Sequence, residues 1–241
     1  MTDTQKTVLI TGASRGIGRA LAAEYAAAGA HVFAVARHPA DAAIDGDVEW
    51  ITADIATPGG LVEIVGAVRN SGRTLDVLVN NAGIQQAIDL QMAEPEDFRA
   101  QAEAEIAVNL TAPLALAHGL LPFIRRRGGA IVNVTSILSR HPKASAPVYC
   151  ATKAGLASFT RAMRHQLSPL GIRVVEAIPP LVATGMTAGR GKAKLSPEAM
   201  AKAIVAGVER GRKRIAPGFA RPFLAIDRLA PELAAAMMIG N

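Results

Sequence analysis

The sequence predicts an α/β fold built on one doubly wound parallel sheet. Three observations lead there. Short runs that are apolar at nearly every position recur along the chain, longer stretches with helical character lie between them, and the glycine-bearing turn after the first run opens directly into a helix. Strands covered by helices on both faces lose the in/out alternation of half-exposed strands and read as continuous β-branched runs. Strand and helix in alternation imply right-handed crossovers and a parallel sheet. The 241 residues suit one domain, 1–241, and a hydrophobic fraction of 50% is enough for a sizeable core.

The expected strands are Thr7–Thr11, His31–Ala36, Val48–Thr52, Leu75–Asn80, Ala130–Thr135 and Ile172–Ile178. The first helix, Gly16–Ala28, carries apolar Ile17, Ala20, Leu21 and Tyr25 and stops at Gly29, a residue suited to a C-terminal cap. Gly60–Asn70, Pro95–Ile124 and Tyr149–Leu167 are further helices. Asn109, midway along the longest of them, has a side chain that competes for backbone groups, so a kink or a water-binding role is expected there. Gly185–Lys194 lacks periodicity and mixes glycine with Arg190, Lys192 and Lys194, the composition of a mobile surface loop. Ser196, Pro197 and Glu198 mark a helix start. The tail Arg221–Ile239 ends in an Ala- and Met-rich helix, packed on the domain or used as a subunit contact.

Composition narrows the function classes. Cys150 is the only cysteine, so no intramolecular disulfide forms. Met1–Lys6, with Asp3, lacks the basic-then-apolar layout of a signal peptide, and Leu110–Ile124 is too short for a membrane span. A cytoplasmic protein with no membrane partner is expected. The net charge of +6 suits either a solvated surface or an anionic partner, a nucleotide or a nucleic acid. Arg125–Arg127 and Arg210–Arg214 read either as solvated helix ends or as nucleic-acid contacts, but 4% aromatic residues leave little material for base stacking. No nucleic-acid partner is expected. His31, His38, His118, His141 and His165 show no ligand spacing with Cys150 or the acids, so no metal is expected.

The turn after the first strand reads Thr11-Gly12-Ala13-Ser14-Arg15-Gly16-Ile17-Gly18. Gly12 permits the tight exit from the strand, Gly16 lets backbone N–H groups approach a pyrophosphate, and Gly18 lets the helix pack close to the sheet. The helix start offers unpaired N–H groups and partial positive charge to that anion. The second strand ends at Arg37 with no carboxylate at its end. A carboxylate there would hold a ribose 2′-hydroxyl, whereas a forked guanidinium suits a 2′-phosphate, and Arg15 adds a second charge on that side. NADP(H) is therefore expected over NAD(H).

The fourth strand runs into Asn80-Asn81-Ala82-Gly83, a strand-end turn that also borders the cofactor crevice. Ser136 follows the fifth strand, where side chains face the ligand crevice of an open α/β sheet. Tyr149 and Lys153 stand one helical turn apart on a shared face. A phenol with an ordinary pKa of about 10 is a poor base at neutral pH, and a nearby ammonium favours its phenolate.

The order Thr-Gly-x-x-x-Gly-x-Gly, Asn-Asn-Ala-Gly, Asn109, Ser136, Tyr149-x-x-x-Lys153, over about residues 5–217, resembles the short-chain dehydrogenase/reductase family. The resemblance implies a single-domain Rossmann-type fold and hydride transfer between NADP(H) and a carbonyl or alcohol. It implies Tyr149 as general acid/base, Lys153 lowering its pKa and holding the nicotinamide ribose, Ser136 on the substrate oxygen, and Asn109 anchoring a relay water. It places Asp54 and Ile55 at the adenine, where Asp54 is equally well a turn aspartate, and Asn81, Ala82 and Gly83 along the cofactor. Pro179, Leu181 and Thr184 would lie at the nicotinamide end. Pro180 stands where the family has glycine, and proline stiffens that backbone. The Pro-Pro pair and Thr187–Gly191 resemble a subgroup named for the lipoteichoic-acid D-alanylation operon. The segment 185–195 would be a substrate lid, and Ile137, Leu138, His141, Val148, Leu181 and Met186 would border a mostly apolar pocket for a ketone, imine or alcohol. In this family the long helices pair between subunits, so a homodimer or homotetramer is expected. A non-catalytic nucleotide-binding or redox-sensing protein is the alternative, and such a protein would be expected to lack Tyr149 or Lys153.

Overall fold

The computed structural model describes residues 5–40, 42–191 and 193–239. The readings placed on residues 1–4, Asp41 and Lys192 lie outside the described residues. Strands β1 (Thr7–Thr11), β2 (His31–Ala36), β3 (Val48–Thr52), β4 (Val77–Asn80), β5 (Ala130–Val134), β6 (Arg173–Ala177) and β7 (Arg214–Ile215) form one sheet ordered β3-β2-β1-β4-β5-β6-β7. Every pairing is parallel. The chain builds outward from β1 to β3, then returns to lay β4 on the other side of β1. That reversal opens a crevice beyond the carboxyl ends of β1 and β4, where ligands of such sheets bind.

Alternate residues of each strand enter opposite cores. Val8, Ile10, Val32 and Ala34 pack with Leu21 and Tyr25 of α1 (Gly16–Ala27) and Met200 and Ile204 of α6 (Pro197–Glu209). Leu9, Phe33 and Val35 turn the other way, toward Ile64 of α2 (Pro58–Ser71), Leu116 of α4 (Ala112–Gly119) and Met163 of α5 (Pro147–Leu167). Both faces are covered, which is why the strands read as unbroken apolar runs.

Helix starts follow their capping residues. Thr57 Oγ1 accepts from Gly60 N at 3.0 Å and Pro58 fills the first turn, so α2 begins two residues before the expected Gly60. Ser196 Oγ caps α6 through Ala199 N at 3.0 Å.

The structure differs from the sequence reading in three places. The stretch Pro95–Ile124 is not one helix: α3 (Pro95–Ile106) passes through a π-helical turn, Ala107–Thr111, into α4, and Leu121–Phe123 is a separate 3-10 turn. Asn109 sits inside the π turn. The tail is two helices, α7 (Ala220–Leu229) and α8 (Pro231–Ile239), because the residue before Pro231 is pushed out of helical geometry and Ala230 has φ −146°. The Arg210–Arg214 cluster is not a helix end but a turn into β7, where Arg214 Nε faces Glu176 Oε2 at 3.6 Å. Among the described residues no helix is long and apolar enough to cross a membrane.

Candidate active site

β1 delivers the glycine turn to the crevice. Gly12 has φ +69° and Gly16 φ +57°, backbone that other residues rarely adopt. A Cβ on Gly18 would stand 2.1 Å from Gly12 O and 2.5 Å from Asn81 Nδ2, so α1 enters the sheet too closely for any side chain there. Arg15 is the N-cap of α1 in extended conformation, with no side-chain cap and no acid in the first turn. The first N–H groups thus lack side-chain acceptors, which fits a dianionic pyrophosphate. Ala13 N donates to Val35 O at 3.1 Å, which holds the turn beside the end of β2. Arg15 and Arg37 are both exposed there, as a 2′-phosphate would require.

The Asn-Asn-Ala-Gly segment is laced to this turn. Asn81 Nδ2 donates to Thr11 O at 2.9 Å, and Thr11 Oγ1 accepts from Asn81 N and Ala82 N at 3.0 and 3.1 Å. Asn80 points the other way, into the core, where Nδ2 donates to Asn133 Oδ1 at 2.8 Å. Asp54 Oδ1 accepts from Ala56 N at 3.0 Å, so one carboxylate oxygen is committed to its own turn while Ile55 is buried beneath.

The catalytic candidates converge at the carboxyl end of β5. Ser136 Oγ accepts from Leu138 N at 3.1 Å, which fixes the hydroxyl just past the strand. Tyr149 and Lys153 are buried together in the first turns of α5, with Lys153 Nζ 5.8 Å from the Tyr149 ring centre. Nζ donates to Val134 O at 2.9 Å, the carbonyl two residues before Ser136. Burial pushes the Lys153 ammonium down to about 8. Burial pushes the Tyr149 phenol up to about 12 against the pull of the Ser136 hydroxyl beside it. A cation that readily gives up its charge, next to a phenol that holds its proton, is a pair poised for proton transfer. Cys150 is packed beside Tyr149, and burial pushes its thiol up, away from nucleophilic character.

Asn109 holds the strand-end segment rather than offering a free amide. Its Oδ1 accepts from Ile84 N at 2.9 Å, and its Nδ2 donates to Ile84 O at 2.8 Å and Thr152 Oγ1 at 3.3 Å. A relay water at this residue falls to its main chain.

The model of the family described as short chain dehydrogenase matches residues 6–195. The chain belongs to that family of oxidoreductases. Among its relatives is an uncharacterized oxidoreductase, DltE, of Bacillus subtilis, 38% identical over 191 residues, with 77% of this chain and 75% of the relative covered. A short-chain dehydrogenase from Sphingobium yanoikuyae, solved in complex with NADPH, superposes with TM-score 0.77 at 28% identity, covering 95% of this chain and 94% of its own. One from Burkholderia cenocepacia, in complex with NADP, gives TM-score 0.85 at 26% identity over 99% of both chains.

As a member of this family, the chain shows three features that sequence reasoning missed. Glu105 is fully buried and its Oε1 accepts from Gln86 N at 2.5 Å; its place four residues before Asn109, on the same helical face, was the available signal. The C-terminal helix α7 walls the substrate side, with Phe223 packed on Ile137 and Leu138. His141, expected at the pocket border, is tied to that helix through Nε2 and Asp227 Oδ1 at 2.8 Å. The expected lid also has more structure than its composition suggests. Thr184 and Thr187 form a capping box around a short 3-10 turn, Lys194 Nζ donates to Thr187 O at 2.6 Å, and Thr184 Cγ2 comes within 3.1 Å of where a Gly16 Cβ would stand. These ties are side chain to backbone and leave no periodic trace.

Proposed function

We propose that this chain is a cytoplasmic, NADP(H)-dependent oxidoreductase that reduces a carbonyl, or oxidises the matching alcohol, with Tyr149 as general acid/base. One observation carries the reading: a buried phenol and a buried amine one turn apart, with a serine hydroxyl beside the phenol, at the mouth of the sheet crevice. NADP(H), when bound, supplies the hydride. Gly12, Ser14, Arg15, Gly16, Ile17 and Gly18 would cradle its pyrophosphate, and Asp54 and Ile55 its adenine. Asn81, Ala82 and Gly83 would line its course, and Pro179, Leu181 and Thr184 its nicotinamide end. In reduction, Ser136 donates a hydrogen bond to the carbonyl oxygen and Tyr149 gives it a proton as negative charge develops. Lys153, protonated, stabilises the phenolate left behind and holds the nicotinamide ribose. In oxidation the phenolate takes the alcohol proton back.

Arg15 and Arg37, with no carboxylate at the end of β2, support a preference for the 2′-phosphate, and the two NADP-bound relatives agree with it. The decisive assay is NADPH and NADH oxidation against aldehydes, ketones and cyclic imines. Arg37→Ala is expected to raise the KM for NADPH by roughly 10–100-fold, the value of a charge-assisted hydrogen bond, and to change the KM for NADH far less. Equal use of both cofactors by the unmodified enzyme would refute the preference.

Homo-oligomerisation through α3, α4 and α5 is part of the same reading. Light scattering is expected to give a dimer or tetramer, and a monomer at all concentrations would remove that part.

A further inference from the structure

We propose that Arg190 is the specificity-determining residue of this site and binds a carboxylate carried by the substrate at the end remote from its reacting carbonyl. The inference rests on the carbonyl-reductase reading above and names its substrate class: oxo acids with an apolar body.

Composition alone makes Arg190 a solvated lid residue. It is half-buried instead, and its Nη1 donates to Gln85 Oε1 at 2.5 Å. Gln85 lies two residues beyond Gly83, on a segment gripped from one helix face. Asn109 holds both main-chain groups of Ile84. Glu105 accepts from Gln86 N, and Gln86 Nε2 donates to Gln101 O at 3.3 Å. Gln101, Glu105 and Asn109 are four residues apart, so they form one row. With its neighbours on both sides held, Gln85 is a rigid post that aims the guanidinium into the crevice mouth.

The charges around this point are few. Glu105 and Arg190 both act on the Tyr149 phenol, Glu105 raising it and Arg190 lowering it, so guanidinium and phenol share one neighbourhood. Glu105 is sealed in the core and engaged with Gln86. Among the described residues Arg190 pairs with no carboxylate, and its partner Gln85 is neutral. A half-desolvated cation oriented by a neutral amide keeps the rest of its donor fork for an anion, and the fork matches a carboxylate. Cofactor phosphates are the rival anion. Their candidate partners, Arg15 and Arg37, lie by the glycine turn at the end of β2, whereas Gln85 follows the Asn-Asn-Ala-Gly turn on the substrate side. Ile137 and Leu138, backed by Phe223, supply the apolar wall for the substrate body.

The test compares a panel of 2-, 3- and 4-oxo acids with their methyl esters, using NADPH and the full-length enzyme. The acids are expected to exceed their esters in kcat/KM by at least tenfold. Arg190→Met is expected to lower kcat/KM on the acids at least tenfold more than on the esters, with Arg190→Lys between, and melting temperatures establish that both variants fold. Equal use of acids and esters, or an equal loss on both in Arg190→Met, overturns the assignment. A rise in the KM for NADPH that accounts for the whole loss overturns it as well, by making the anion a cofactor phosphate. If no carbonyl is reduced at all, the parent reading fails, and calorimetry of the oxo acids on enzyme saturated with NADP⁺ decides separately. Acid binding that Arg190→Met abolishes keeps the carboxylate site, and its absence in the unmodified enzyme removes it.

Discussion

Tyr149→Phe is expected to lower kcat for carbonyl reduction by roughly 10²–10⁴-fold, the usual worth of a positioned proton donor. The substitution deletes one oxygen and leaves the ring, which is buried against Ala146, Cys150 and Leu138, so stability and cofactor affinity should change little. The loss therefore belongs to chemistry and not to folding. A pH profile sharpens the test. Reduction consumes the phenol's proton, so its rate falls as pH rises through the phenol's pKa; oxidation needs the phenolate and rises over the same range. In the cofactor-free protein that pKa stands at about 12, with burial outweighing Ser136. The Lys153 ammonium, down at about 8, is the group whose charge must be retained to pull it lower. Steady-state NADPH oxidation by the two proteins across the pH range checks this. A variant with unchanged rate and the same pH limb would remove Tyr149 from the reaction.

Gly18→Ala is the second large effect, and it acts through packing. The new methyl would need to occupy space 2.1 Å from Gly12 O, a backbone atom, and 2.5 Å from Asn81 Nδ2, which itself donates to Thr11 O. Neither can yield without moving the glycine turn or the Asn-Asn-Ala-Gly segment. The expected cost is about 3 kcal/mol, the upper part of the overpacking range, or roughly a 6–12 °C fall in melting temperature for a chain of this size. NADPH binding should fail with it, because the turn that moves is the one proposed to cradle the pyrophosphate. Thermal melts and NADPH fluorescence titration measure both. Normal melting together with normal binding would show that α1 does not pack on β1 as described.

These effects trace to features that differ in how far they can be read from residues alone. β1, β2 and β3 were legible to the residue, because a strand buried on both faces has no other way to look. The glycine turn and the Tyr149–Lys153 spacing were legible because local backbone geometry dictates them. β7 was not: two residues at a sheet edge, Arg214 and Ile215, carry no pattern. The tie between Gln85 and Arg190 joins positions 105 residues apart in the chain, and Glu105 meets Gln86 across a turn. Only folding brings such pairs together. α7 was read as part of one tail helix, and its role as a wall over Ile137 and Leu138 depends on a tertiary contact with no local signature.

The π turn at Ala107–Thr111 has a consequence for how this chain can vary in length. Such a turn holds one residue more than a regular α-helix would, so it works as a phase shifter between α3 and α4. Deleting any one of its residues would restore a regular helix and rotate everything downstream by about 100°. Leu116 would then swing off the sheet, and the clasp on Ile84 would be lost in the same stroke. Substitutions here are graded in effect, whereas a single-codon deletion is all-or-nothing.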